Sequence, residues 1–381
     1  MQFEIHAGNA ARPAGPVTVN LSADQAAQID APGLIDGKTK QPVPVQRLPE
    51  GGLCWPAPAL QADERRVFAL DTKGLSADAP RVVVDQDHPE QVDVRIGSKA
   101  FTTLNFAISD AHPRPFLYPV IGPTQVSVTR HYPMRPGVAD ERDDHPHHQS
   151  CWVAWGDVNG VDHWSTSSKC GFQRVRALTT TISGPVFGQI EAVVEWFDRD
   201  DKRQLSEYRT YRFWRGDDAV RAFDQTVSLL MTDGDVTFGD TKEGGLCSTR
   251  VAGTMKERSG GTITNAENKS GAGACWGKPS PWVDYSGPVG DSTVGLAIFD
   301  HPNNFRHPTR WHVRDYGLFT ANCFGLSHFM GKEHNGSHTW KAGERVTFRH
   351  RVYIHTGDVK AGRVAEQYRN YTSPAAVRIL T

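Results

Sequence analysis

The chain has 381 residues, 42 of them basic and 43 acidic, for a formal charge of −1. It carries no Lys/Arg-rich run of the kind that tracks a phosphate backbone, which argues against a nucleic-acid partner. No apolar stretch nears the roughly 20 residues that cross a bilayer, so no membrane span is expected.

The start, Met1-Gln2-Phe3-Glu4-Ile5-His6, has neither the basic nor the apolar region of an export signal. A soluble protein is expected, cytoplasmic, or periplasmic or extracellular if a signal was removed. Residues 1 to 85 are rich in Pro and Ala and hold short strands such as Val17-Thr18-Val19 and Val67-Phe68-Ala69-Leu70. They predict an N-terminal β module, followed by a linker near Asp78-Ala79-Pro80. Within the module, Ser22-Ala23-Asp24-Gln25 has the spacing of a capping box and predicts a helical turn.

From residue 90 to 381 the pattern predicts one large β domain. Residues 91–96, 189–197, 206–214 and 345–355 alternate bulky and polar side chains, the period of strands with one buried face. With 36 glycines and 24 prolines punctuating such runs, the fold class is all-β and antiparallel. Val364, Tyr368 and Tyr371 have helical spacing, and no fixed-period repeat suggests a propeller or solenoid. Six cysteines without a CxxC argue against a zinc ribbon or a disulfide scaffold.

Six of the 16 histidines fall at residues 112–163, eight at 301–355, and none between these blocks. Imidazole titrates near neutrality, so such blocks suit proton transfer or metal binding, and the two are expected to converge on one site. In Val128-Thr129-Arg130-His131-Tyr132, an extended chain would put His131 on a polar face opposite Arg130. In Asp144-His145-Pro146-His147-His148, an extended chain would put His145 and His147 on one side, where they could hold a divalent metal; the sequence requires no cofactor. In Phe238-Gly239-Asp240-Thr241-Lys242-Glu243-Gly244, flanking glycines predict a turn exposing Asp240, Lys242 and Glu243. In the third constellation, Arg310, His312, Arg314 and Tyr316 alternate with Trp311, Val313 and Asp315, giving a cationic face that needs carboxylate partners. Ten tryptophans, among them Trp282, offer flat faces for a polyhydroxylated ring.

Phe116-Leu117-Tyr118-Pro119, Val128-Thr129-Arg130-His131-Tyr132-Pro133-Met134, Asp144-His145-Pro146-His147-His148, Gly156-Asp157-Val158-Asn159-Gly160, Trp282-Val283-Asp284-Tyr285 and Trp311-His312-Val313-Arg314-Asp315-Tyr316-Gly317 together resemble the bacterial PmoA-like family. Its label borrows the name of a membrane-bound methane oxygenase subunit, a role that a chain with no apolar span does not support. More distantly, the domain from about residue 90 resembles the galactose mutarotase superfamily, which implies an antiparallel β supersandwich that acts on or binds sugars. The ending Ser337-His338-Thr339-Trp340-Lys341-Ala342-Gly343-Glu344 resembles that of sugar epimerases. Where those place a catalytic glutamate, this chain reads Thr320-Ala321-Asn322-Cys323-Phe324-Gly325, so the carboxylate must come from elsewhere, with Glu243 and Asp315 favoured.

The expected function is therefore acid/base chemistry on a sugar or glycoside, by hydrolysis, elimination or epimerisation. His131, His145, His147, Glu243 and His312 are the expected catalytic groups. Arg130, His148, Asp240, Lys242, Arg314, Asp315, Tyr316 and Trp282 are the expected substrate contacts. The alternatives are a sugar-binding protein without catalysis and a metal-dependent enzyme centred on His145 and His147. The partner is a carbohydrate, small or oligomeric, and the oligomeric state stays open.

Overall fold

Alternation along the chain becomes two facing sheets. The computed structural model describes residues 1–27, 29, 33–71 and 81–380. It has 47% strand and 8% helix, far below the roughly one-third helix of an average globular domain. The first large sheet has eight strands in the order Arg310–Val313, Leu318–Asn322, Gly244–Arg250, Cys151–Trp155, Phe116–Val120, Lys99–Asn105, Gln91–Ile96 and Val82–Asp85. The second, also of eight, runs Phe172–Ile182, Phe187–Phe197, Arg203–Trp214, Val220–Leu230, Arg345–Thr356, Ser292–Asp300, Trp282–Val289 and Thr262–Asn265. Every pairing between these strands is antiparallel.

Both sheets contribute to the same cores. Val92, Phe101, Leu117, Cys151 and Trp311 of the first pack with Phe213, Phe223, Leu296, Ile298 and Val352 of the second. A second cluster joins Val153, Trp155 and Leu246 to Val194, Leu205, Val227 and Phe348. Each fully buried side chain of this size contributes roughly 1.5–3 kcal/mol, so inter-sheet burial is the main term holding the sandwich. The six cysteines are buried and free.

The N-terminal module has its own core around Phe3, Trp55 and Phe68. Its capping box forms: Ser22 Oγ accepts from Gln25 N at 3.2 Å and Gln25 Oε1 from Ser22 N at 2.9 Å, opening the helix Ala23–Ala27. The sheets do not divide at the boundary expected between residues 85 and 90. Val82–Asp85 pairs with Gln91–Ile96 in the first large sheet, whereas Ala376–Leu380 returns to pair with Gln2–His6 in the module. The linker expected at Asp78-Ala79-Pro80 lies outside the described residues.

The module and the C-terminal helix Val364–Thr372 cover the outer face of the second sheet. Leu48 and Cys54 pack there with Phe187, Trp214, Phe299, Tyr353 and Val364. Gln46 Oε1 accepts from the backbone N–H groups of Val186 and Phe187, both at 3.0 Å. That leaves the outer face of the first sheet for loops, and most of the expected site residues gather there.

Candidate functional site

Cross-strand register decides which side chains reach this outer face. Trp152 lies opposite Ser248, Ser248 opposite Thr320, and Thr320 opposite His312, so all four share one face. Ser248 and Thr320 hydroxyls meet at 2.6 Å. Arg250, opposite Leu318, joins them. The alternation expected along residues 310–313 is observed: Trp311 and Val313 enter the core and Arg310 and His312 turn outward. The strand then ends in a tight turn, with Arg314 N bonded to Leu318 O and Gly317 at φ +101°, a backbone that glycine adopts without strain. This turn presents Arg314 and Tyr316.

The segment around Arg130 and His131 is not the expected strand. Val128–Arg130 runs irregularly, held by Arg130 N to Arg250 O at 2.9 Å and Ala252 N to Val128 O at 2.9 Å. Arg130 therefore points into the site: it donates to Asp144 at 2.7 Å and to the His145 carbonyl at 2.8 Å. His131 lies at the margin, its Nδ1 3.0 Å from the Tyr118 hydroxyl, with Glu141 accepting from the His131 and Tyr132 N–H groups.

Residues 145–148 form a turn, not the extended run expected, because His145 adopts φ +47° and His148 N bonds back to His145 O. The turn folds the rings into a column. Tyr316 stacks on His145 at 5.1 Å, His145 on His148 at 4.9 Å, and His148 on Trp152 at 5.4 Å. Arg250 lies alongside, 4.6 Å from the Tyr316 centroid, donating to His148 Nδ1 at 2.7 Å and to Asp144 at 3.1 Å. A guanidinium only donates, so Nδ1 of His148 is an acceptor and its proton sits on Nε2. Burial, reinforced by His147 and Arg250, holds this imidazole neutral.

Lys242, Glu243, His147 and His312 make the densest chemistry. His312 Nδ1 lies 2.7 Å from the Lys242 carbonyl, which can only accept, so Nδ1 carries the hydrogen and Nε2 keeps its lone pair. Burial pushes His312 down to about 4, and His147 likewise to about 4. Burial of Glu243 works to raise its pKa, but Lys242, His312 and His147 outweigh it and hold the carboxyl below its ordinary value. Its charge acts on both imidazoles, which brings the two histidine blocks to one place. Trp276 and Phe329 stand beside His312, each with ring centroid 6.4 Å away.

Asn322 positions this loop. Its Nδ2 is within 3.1 Å of the carbonyls of Thr241, Lys242 and Gly244, and its Oδ1 accepts from Phe324 N and Gly325 N. Asn322→Ala is expected to cost roughly 2–4 kcal/mol by leaving buried backbone groups unpaired. Denaturant unfolding checks this; a loss under 0.5 kcal/mol would mean that the loop holds without it.

Three expected substrate contacts belong elsewhere. Asp240 accepts from Ser327 N, Ser327 Oγ and Gly336 N, so it ties two loops together. Asp315 pairs with Arg258 at 2.6 Å. Trp282 lies in the core under the module, on the other sheet. Of the second histidine block, His312 joins this cluster. His307 and His350 surround the buried Asp300, holding its carboxyl down to about 2, and His355 pairs with Asp284 at 2.9 Å. Among the described residues, no group of three or more His, Cys, Asp or Glu side chains is placed to hold a metal ion, so His145 and His147 gain no third ligand of these types.

Tyr118, Glu141, Arg250, Phe329 and Asn322 were not among the expected residues, whereas Trp276 is one of the ten tryptophans expected to offer flat faces. Arg250 carried no periodic signal in Ser248-Thr249-Arg250, and its contact with His148, 102 residues away in sequence, is visible only in three dimensions. A cavity of about 560 Å³ lies between the module and the second sheet. Its polar groups are already partnered, Tyr353 with Gly362, His355 with Asp284 and Arg351 with Asp224, so the histidine face is the better candidate site.

The fold and this face define an all-β sandwich protein with a histidine, arginine and carboxylate cluster on one exposed sheet. The profile of the family of unknown function DUF6807 matches residues 91–369, and the chain belongs to that family. No curated protein matches the chain. No helix among the described residues is long and apolar enough to cross a membrane.

Proposed function

We propose that the chain is a carbohydrate-active enzyme that moves protons at Glu243, His312 and His147. One observation carries the reading: an ionised carboxylate is held beside two neutral imidazoles, each kept in its base form by burial. A group that takes a proton and cations that meet developing negative charge are what hydrolysis, elimination or epimerisation of a sugar needs. His312 Nε2 and Glu243 are the proton acceptors, and Lys242 and Arg314 the cations. With Asp315 turned onto Arg258, Glu243 remains of the two carboxylates that the sequence favoured. Trp276 and Phe329 offer aromatic faces to the C–H side of a ring. Two packed antiparallel sheets are compatible with the galactose mutarotase-like resemblance, whose members act on or bind sugars.

A second reading, a sugar-binding protein, is favoured by openness: the Lys242 and Glu243 side chains are 39% and 41% exposed, more than a water-excluding active site normally leaves them. The test is a panel of glycosides and oligosaccharides, followed for reducing ends, unsaturated products and epimers, with and without chelator. Turnover of at least one member that survives chelation is expected. Saturable binding without turnover under every metal condition would replace the enzyme by the binder. Activity that appears only with a divalent ion would move the reading to a metal enzyme at His145 and His147.

A further inference from the structure

Cations around the site outnumber the carboxylate oxygens placed to pair with them. Arg130 and Arg250, 1% and 3% exposed, share a single oxygen of Asp144. Arg114 donates to the carbonyls of His147, Trp164 and Ser165, and Arg310 to that of Gly277. Lys242 meets Glu243. The nearby acids are already engaged: Glu141 with the N–H groups of His131 and Tyr132, Asp162 with those of Trp164 and Ser165, and Asp240 with Ser327 and Gly336.

Arg314 differs from all of these. It donates no side-chain hydrogen bond to any described residue, and it is exposed, 5.8 Å from the centroid of the same Tyr316 ring that Arg250 approaches at 4.6 Å. An exposed arginine is ordinary by itself. Here the neighbouring guanidinium on that ring, Arg250, already has Asp144 as its anion, whereas Arg314 is paired with no carboxylate among the described residues. The Lys242 carbonyl meets His312 Nδ1 at 2.7 Å and Arg314 follows His312 by two residues, so both cationic residues border the same imidazole.

We propose that the sugar taken at this site is an acidic one, whose single negative charge, a carboxylate or a sulfate ester, is held by Arg314 with Lys242 beside it. This rests on the carbohydrate reading above and narrows its substrate class. One uncommitted guanidinium matches one negative charge better than the two of a phosphate monoester, and its planar fork matches a carboxylate bidentately. Tyr316, Trp276 and Phe329 are the aromatic faces available to the ring that carries the charge.

The test compares binding of glucuronate, galacturonate and glucose 6-sulfate with that of glucose, galactose and glucose 6-phosphate, by calorimetry at low and high salt. Acetate and inorganic sulfate serve as controls. Carboxylate or sulfate sugars are expected to bind at least about tenfold tighter than neutral ones, the difference shrinking with salt because exposed charges are screened. Arg314→Gln, at an exposed position without hydrogen bonds, is expected to fold normally and lose that preference, and Arg314→Lys to keep part of it. Equal binding of neutral and acidic sugars, tighter binding of the phosphate ester, or an unchanged preference in Arg314→Gln would overturn the acidic-sugar assignment and leave the carbohydrate reading standing. Acetate or sulfate binding as well as the acidic sugars would overturn both, as would a failure of any sugar to bind.

Discussion

Glu243→Gln is expected to lower kcat/KM on the sugar substrate at least about a hundredfold while thermal unfolding stays near that of the parent protein. The size is that usual for losing one acid/base group. The substitution keeps shape and hydrogen-bonding capacity, and the Glu243 side chain is partly exposed, so little of the fold depends on its charge. If Glu243 only orients the ligand, KM should rise with kcat unchanged; a fall confined to kcat marks an interaction made in the transition state. His312→Ala should match this loss, but it also removes one of the donors to the Lys242 carbonyl, which keeps Asn322, and empties a buried position, so it costs stability as well. Activity within threefold of the parent in Glu243→Gln would remove this carboxylate from the chemistry.

Acidification is expected to produce the largest change in stability. His147 and His312 are pushed down to about 4, His163 to about 3, and His148 well below its ordinary value, in each case first by burial. The unfolded chain takes up these protons near pH 6.5 and the folded chain only several tenfolds lower in pH. Stability therefore falls as pH drops from about 6.5 towards 4, by up to about 1.4 kcal/mol per pH unit for each histidine. Four such groups make the slope on the order of 5 kcal/mol per pH unit, enough to unfold an ordinary domain before pH 4. His355, raised by Asp284, runs the other way: its contribution is full at low pH and is lost as pH rises through its folded pKa. Asp300, held at about 2, adds a further loss below pH 4. Urea unfolding at pH 7, 6 and 5 measures the slope, and a flat profile over that range would contradict the buried neutral imidazoles. His163→Phe should remove about one proton's share. Neither ring nitrogen of His163 has a hydrogen-bond partner among the described residues, and the ring packs on Trp196 at 5.0 Å, so it serves as a core residue.

Alternation was the most legible signal. Residues 91–96 form the strand expected, the other three alternating runs fall within the strands Phe187–Phe197, Arg203–Trp214 and Arg345–Thr356, and Val364, Tyr368 and Tyr371 lie on the expected helix. Period 2 is a local property, written residue by residue. What failed was extrapolation of an extended backbone into loops. Val128–Arg130 is held as an irregular segment by its bonds to Arg250 and Ala252, and His145 is left-handed at φ +47°, so neither Arg130 nor His145 keeps the face that an extended chain would give it. The third failure was partner choice. Asp240, Glu243 and Asp315 look alike in sequence, yet only Glu243 turns towards the imidazoles, because the others find donors on loops distant along the chain. The eight-histidine block misled for the same reason, since Asp300 and Asp284 claim His307, His350 and His355.

The return of Ala376–Leu380 to the edge of Gln2–His6 also sets the order in which this molecule can be assembled. Gln2–His6 finds Arg65–Asp71 on one side soon after it is made, but its other row of N–H and C=O groups waits for Ala376–Leu380, made long afterwards. Contacts so far apart in sequence form slowly, because the intervening chain must be brought round first. The module, made before the sandwich strands, is thus closed only after them. Until then Phe3 and Ile5 lie on a strand with an open side, the kind of edge through which half-made β proteins find one another instead of themselves.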